Sequence, residues 1–206
     1  MHDGDLRSAI LRRLERAYED DPTVRIVEEM GVWSGTVRID IAVINGELSG
    51  YEIKSDRDTL KRLPNQAEIY SRVFDRVDLV VGEKHFKKAS TMIPAWWGIT
   101  TATMVNGTVQ LTDERLSLQN PSRDPLLISQ LLWKEEALAV LAENDLAAGW
   151  KSKRVNAIHR HLASALPIGE LCENVRNKLK VRHSLSRKVS SNFLNVSVDA
   201  DLHPSL

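Results

Sequence analysis

Residues 37–54, VRIDIAVINGELSGYEIK, decide how this chain folds. At period two, Val37, Ile39, Ile41 and Val43 alternate with Arg38, Asp40, Ala42 and Ile44, the spacing of a strand with one face on a core. Asn45-Gly46 supplies a turn dipeptide tolerant of positive φ, and the chain returns through Leu48, Gly50, Tyr51 and Ile53. The pattern predicts a β-hairpin. Asp40 sits on its first strand and Glu52 on its second, with Lys54 two residues further on. Side chains two apart on a strand share a face, so Glu52 and Lys54 point the same way. Pairing about the turn lets Asp40 approach Glu52. Two carboxylates and an amine on one sheet face can hold a hard divalent cation and position a water beside it. Acids and lysines on a half-exposed sheet are equally ordinary solvated residues, and an isolated acid followed by ExK does not separate the two readings.

The following stretch, SDRDTLKRLPNQAEIYSRVF, reads in its latter part as a helix that puts Gln66 and Tyr70, four apart, on one face. DRVDLVV after it is largely apolar and reads as a buried strand. The order is strand, turn, strand, helix, strand.

Asp40, Glu52-Ile53-Lys54 and Gln66-x-x-x-Tyr70 together resemble the PD-(D/E)xK, or restriction-endonuclease-like, nuclease superfamily. The glutamine–tyrosine helix is similar to that of its RecB-type and Holliday-junction-resolvase-like branches. The wider run RIDIAVINGELSGYEIKSDRDTLKRLPNQAEIYSRVFDRVDLVVGEKH is similar to a group of small bacterial and phage-borne proteins placed there. The likeness is close over residues 24–99 and loose elsewhere. Ile39 stands where the superfamily's name has proline, a position that varies widely within it.

The resemblance implies an α/β fold, with a restriction-endonuclease-like core (a mixed central sheet flanked by helices) and a helical C-terminal appendage. It implies a divalent-metal-dependent nuclease hydrolysing phosphodiester bonds in DNA, in repair, recombination or a phage or defence setting. Asp40 and Glu52 would hold Mg²⁺ or Mn²⁺, and Glu29 would be a better third acid than Glu28 or Glu15. Lys54 would help deprotonate the attacking water and offset transition-state charge. Gln66 would orient phosphate or water, and Tyr70 would pack beneath it or touch the DNA backbone. Arg57, Lys61, Arg62 and His85 would contact nucleic acid at the rim. Surface ion pairing accounts for each of these basic residues equally well.

The remaining sequence bounds this picture. The 206 residues carry 28 basic and 28 acidic side chains, so bulk charge does not announce a polyanion partner, although a local patch still could. One cysteine, Cys172, excludes an intrachain disulfide and a cysteine-built metal cluster, and its apolar surroundings predict a buried small hydrophobe. The opening MHDGDLRSAI is too polar for a signal peptide or membrane span, so a cytoplasmic protein with no membrane partner is expected. Residues 5–20 read as a helix with Asp5 as N-cap, and residues 23–30 as a first strand. GVWSGT is a connecting turn. MIPAWWGITTATMVNGTVQLTDE reads as a strand pair closed by Asn106-Gly107, with Trp96 and Trp97 in packing roles.

NPSRD, at 120–124, marks a change of character. The expected division is 1–119 as nuclease-like core, 120–183 as helical region and 184–206 as a partly disordered tail. Within the helical region residues 126–146 read as one helix. The pattern Leu138, Leu141, Leu146, Gly149, Lys151, Ile158 and Leu162, with its break at Gly149, is similar to a small SAP-like helix–loop–helix that binds DNA backbone, though packing against the core explains it too. A homodimer, or a protein partner on the helical region, is compatible with all of this. Two rival functions stand beside the nuclease: a non-catalytic nucleic-acid-binding module, and a protein-interaction partner retaining the fold.

Overall fold

The computed structural model describes residues 1–32 and 35–182; the expected tail and the middle of the GVWSGT turn lie outside the described residues. The elements run α1 (Asp3–Ala17), β1 (Arg25–Val32), β2 (Val37–Ile44), β3 (Leu48–Lys54), α2 (Leu63–Tyr70), β4 (Arg76–Gly82), α3 (Phe86–Ala89), β5 (Gly98–Val105), β6 (Thr108–Arg115), α4 (Pro125–Ser129), α5 (Lys134–Glu143), α6 (Val155–Ala165) and α7 (Ile168–Val181). The six strands lie side by side in sequence order. The first three are antiparallel, β3–β4 and β4–β5 are parallel, and β6 returns antiparallel. The protein is therefore an α/β protein with a mixed six-stranded sheet, flanking helices and a helical C-terminal region.

The two sheet faces bury different layers. Leu6, Ile10 and Leu14 of α1 cover Ile41, Val43, Ile53, Val80 and Ala102. The opposite face, with Ala42, Ile44, Leu79 and Val81, packs on Leu63, Ala67 and Tyr70 of α2 and on Phe74 and Trp97. Leu127, Leu141, Leu162, Leu171 and Cys172 of the C-terminal helices join this same cluster. Helices α4 to α7 are thus docked on the sheet. Cys172 is buried there as expected.

Asp75 locks that docking. It is 3% exposed, accepts the Leu48 N–H at 2.7 Å, and pairs with Arg123 and, at 3.4 Å, with Arg176 of α7. One buried carboxylate therefore ties the β2–β3 hairpin to two segments of the helical region.

Several expectations shift by a local rule. Helix α1 starts at Asp3 because His2 is its N-cap, and Asp5 instead accepts the His2 N–H at 2.8 Å in a capping box. Strand β1 runs two residues later than expected. The β2–β3 turn does not use positive φ at Asn45 or Gly46; Asn45 Oδ1 accepts the Glu47 N–H at 2.7 Å and closes a wider loop. Asn106 and Gly107 do take φ of 49° and 78°, which gives the expected tight β5–β6 turn. Residues 126–146 split into α4 and α5 because Trp133 is extended and its N–H is capped by Glu136 at 2.7 Å. Trp97 is buried, stacked on Tyr70 at 6.3 Å between ring centroids. Among the described residues no helix is long and apolar enough to cross a membrane.

Asp75→Ala strands two arginines beside a buried gap and removes the partner of the Leu48 N–H. Urea denaturation should show a loss of about 3–5 kcal/mol, the scale for breaking a buried ion pair on one side. A loss within 0.5 kcal/mol, the usual scale of a neutral surface change, would mean that the clamp does not hold the helical region.

Candidate active-site cleft

The hairpin opens where the acids sit. Its ladder runs from Ile44↔Leu48 to Ile41↔Tyr51 and then stops. Two residues past Tyr51, the Ile53 N–H is taken by the Asp40 side chain, which accepts it at Oδ2 at 2.7 Å. On the other side of β2, the β1–β2 pairing passes from Glu28↔Ile41 to Met30↔Ile39 and omits the step between. Glu29, opposite Asp40 at that step, has φ of +53°, a left-handed conformation that costs a non-glycine residue of order 1 kcal/mol. Alternation breaks there: Val27 and then Met30 and Val32 face the same cluster, as do Ile39 and Ala42. Strict alternation predicts that Glu28 and Glu29 point apart. The break lets both approach one cation, Arg7 of α1.

A cleft of about 420 Å³ results, lined among others by Glu29, Asp40, Glu52, Lys54, Arg62 and Gln66. Even-numbered residues of β3 face α2, so Glu52 and Lys54 meet Gln66 there. Glu52 is 2% exposed, Lys54 5% and Gln66 7%. Glu52 Oε1 accepts from Lys54 Nζ and from Gln66 Nε2 at 2.6 Å. Its Oε2 and the Gln66 Oε1 are buried with no hydrogen-bond partner. Burial, and next the nearby Asp40 carboxylate, push the Glu52 pKa up to about 7 against the pull of Lys54.

Asp40 is held by a different cation. Arg7 Nη2 donates to Asp40 Oδ1 at 2.8 Å and Nη1 to the Asp40 carbonyl at 3.1 Å. The same guanidinium reaches Glu29 at 3.0 Å, Asp3 at 3.3 Å and Glu28 at 3.8 Å. Burial disfavours the charge on Arg7, but Asp40, Asp3 and Glu29 together raise its pKa.

The structure thus gathers Asp40, Glu52, Lys54, Gln66 and Glu29 in one place. Tyr70 lies deeper: it is fully buried, and its hydroxyl, close enough to Glu52 to help draw that carboxyl's pKa down, donates its proton to the Arg38 carbonyl instead. It packs beneath the site and cannot reach a DNA backbone, because Trp97 and Phe74 close over its ring. Arg57, Lys61 and Arg62 are exposed on the segment leading into α2, and Arg62 reaches the cleft. His85 is partly buried, with Nε2 lacking a partner. Glu15 is exposed on α1 and does not line the cleft.

Two participants were not foreseen. Asp58 lines the cleft and accepts from the Ser55 N–H and hydroxyl at 2.7 and 2.6 Å, fixing the loop after Lys54. Arg7 follows Leu6 on the flank of the apolar face of α1, so its sequence position announces a boundary residue and says nothing of the acids 33 positions away.

The donor set suits a hard cation in kind, since the acids offer oxygens and Glu52 Oε2 has no partner. In spacing it is not ready. Among the described residues no group of three or more His, Cys, Asp or Glu side chains is arranged to hold a metal ion, and Arg7 stands between Asp40 and Glu29.

Fold and site together define an α/β protein with a buried acid–lysine–glutamine cleft where its mixed sheet opens. The chain belongs to the bacteriophage P4 protein cII family, whose model matches residues 2–204. It is 28% identical over 174 residues to Protein cII of Enterobacteria phage P4, taking in 82% of this chain and 62% of that protein. The chain therefore spans less than two thirds of that relative's length. Among solved structures, a protein of unknown function from Silicibacter pomeroyi aligns over 74% of this chain and 99% of its own, with a TM-score of 0.42 and 18% identity.

An acid whose pKa is higher folded than unfolded keeps its proton longer in the native state, so stability falls as pH rises between the two values. For Glu52 that window runs from its ordinary 4.5 to about 7. In EDTA, wild-type stability to urea should drop across it by on the order of 2–3 kcal/mol relative to Glu52→Gln. Parallel profiles for the two proteins would show that Glu52 ionises normally.

Proposed function

We propose that this protein is a divalent-metal-dependent nuclease of the restriction-endonuclease-like kind, hydrolysing phosphodiester bonds in DNA. The observation that carries the reading is the Glu52–Lys54–Gln66 group. A buried carboxylate and ammonium cost several kcal/mol to desolvate, and an apolar pair would pack the same space at least as stably. Their presence beside a second acid, with one carboxylate oxygen left unpartnered, is explained by chemistry done in the cleft. The resemblance of these residues to the PD-(D/E)xK pattern, and the strand–strand–helix–strand order that presents them, support the same reading.

Asp40 and Glu52 are the residues that would hold Mg²⁺ or Mn²⁺, with Glu29 beside them; when bound, such an ion supplies Lewis acidity to phosphate and lowers the pKa of water. Lys54, anchored on Glu52, holds positive charge where an attacking water loses its proton and where charge builds on phosphorus. Gln66 fixes the Glu52 rotamer through Nε2 and keeps its Oε1 for water or the ion. Tyr70 supports the β2 backbone at Arg38. Arg57, Lys61 and Arg62 are exposed for the phosphates of a strand entering the cleft, and His85 lies near its rim. This setting is that of a cytoplasmic protein acting on DNA, alone or as a homodimer.

The Arg7 contacts favour a second reading, a nucleic-acid-binding module that keeps the fold without cutting, because they already neutralise Asp40 and Glu29. Plasmid, linear, single-stranded and branched DNA, incubated with Mg²⁺, Mn²⁺ or EDTA, separate the two. The nuclease reading predicts metal-dependent cleavage, reduced at least about 10²-fold in Asp40→Asn and Lys54→Ala. Cleavage undiminished in folded variants removes the reading. DNA binding without cleavage of any form establishes the second.

A further inference from the structure

We infer that Arg7, reaching from α1, is the resident cation of two acids that line this cleft, Asp40 and Glu29, and that a divalent ion reaches them only by displacing it. This rests on the metal-dependent reading above and adds how the site is held between turnovers.

The geometry is that of one position contested by two cations. Arg7 Nη2 lies 2.8 Å from an Asp40 oxygen and 3.0 Å from a Glu29 oxygen, so the two acids already share a positive charge at one atom. The other nitrogens are committed as well, Nε to Asp3 and Nη1 to the Asp40 carbonyl. None of the Arg7 contacts goes to Glu52. That leaves Glu52 Oε2 and Gln66 Oε1 as buried acceptors with nothing to accept, a state native structures rarely leave unexplained. These two atoms point independently to a second, oxygen-seeking ligand in the same cleft.

The backbone of Glu29 agrees. Its left-handed φ is retained against its own preference, and its effect is to turn the Glu29 carboxylate toward Arg7 and Asp40. The latch can also open cheaply. Helix α1 is anchored by Leu6, Ile10 and Leu14, so the long side chain of Arg7 can swing out by rotamer change while the helix stays in place. With Arg7 seated, its one positive charge offsets part of the repulsion among Asp3, Glu28, Glu29 and Asp40; with a divalent ion seated, Arg7 is released at the cleft mouth. The two states exclude each other at Asp40, and each ligand therefore weakens the other by the same factor.

Manganese binding to the full chain, without DNA, tests this by calorimetry and by the paramagnetic signal of free Mn²⁺. Arg7→Met removes the competitor, and Arg7→Lys keeps the charge with fewer donors. Arg62→Met removes an exposed charge from the cleft wall without touching an acid, and so measures the effect of charge alone. Arg7→Met should bind Mn²⁺ about tenfold tighter than wild type, a typical coupling between linked ligands; Arg7→Lys should fall between them and Arg62→Met should stay near wild type. Without metal, Arg7→Met should melt below wild type, and saturating Mn²⁺ should close that gap. Equal or weaker binding by Arg7→Met, or the same gain in Arg62→Met, overturns the inference while leaving the metal reading intact. If Arg7→Met does not fold, Arg7→Lys binding no tighter than wild type overturns it. No Mn²⁺ binding by wild type, Arg7→Lys or Arg7→Met removes both.

Discussion

Glu52 carries a buried carboxylate on the third strand of a six-stranded sheet, and much of the surrounding architecture is arranged to tolerate it. Lys54 supplies the opposing charge from two residues along the same face, and Gln66 supplies a donor from the helix that packs on that face. Helix α2 must lie where it does for Gln66 to reach, and it is set there by Leu63, Ala67 and Tyr70 in the larger core layer. Tyr70 in turn fixes the backbone of β2 at Arg38, two residues before Asp40. The position of each acid thus depends on the packing of apolar residues on both sides of the helix–sheet contact.

The second constraint is the opening of the hairpin. A ladder that continued would spend the Ile53 N–H on β2 backbone and leave Asp40 aimed across a closed sheet. Here the Asp40 side chain replaces the backbone acceptor, the strands separate, and the cleft has somewhere to be. The same break reverses the side-chain alternation of β1 and β2, which brings Glu28, Glu29 and Arg7 into one charge cluster. The two acids are therefore paired with cations from two layers, Asp40 with Arg7 of α1 and Glu52 with Lys54 of β3.

Much of this was legible in the chain. Period-two spacing placed β2 and β3, an apolar run placed β4, Asn106-Gly107 marked the β5–β6 turn, and the separation of Glu52, Lys54, Gln66 and Tyr70 put four side chains on facing surfaces of a strand and a helix. What escaped had physical causes. Alternation assumes an unbroken strand, so it could not foresee that Glu29 would take a positive φ and point with Glu28. Helix spacing placed Arg7 at the edge of an apolar stripe, but its partners are brought by tertiary packing. Residues 126–146 look like one helix because leucine spacing continues through a break that Glu136 makes by capping the extended Trp133. The docking of the helical region on Asp75 depends on arginines 48 and 101 positions away, which no local pattern records.

We propose for the cleft a cation site between Asp40 and Glu52, with Arg7 as the resting partner of Asp40. Crystals grown with and without Mn²⁺, measured at the manganese absorption edge, address it most directly. An anomalous peak bounded by Asp40 and Glu52 Oε2 is expected, with Arg7 moved off Asp40, and Arg7 back on Asp40 when the metal is left out. No peak in the cleft at saturating Mn²⁺, or a peak there with Arg7 still bonded to Asp40, would contradict it.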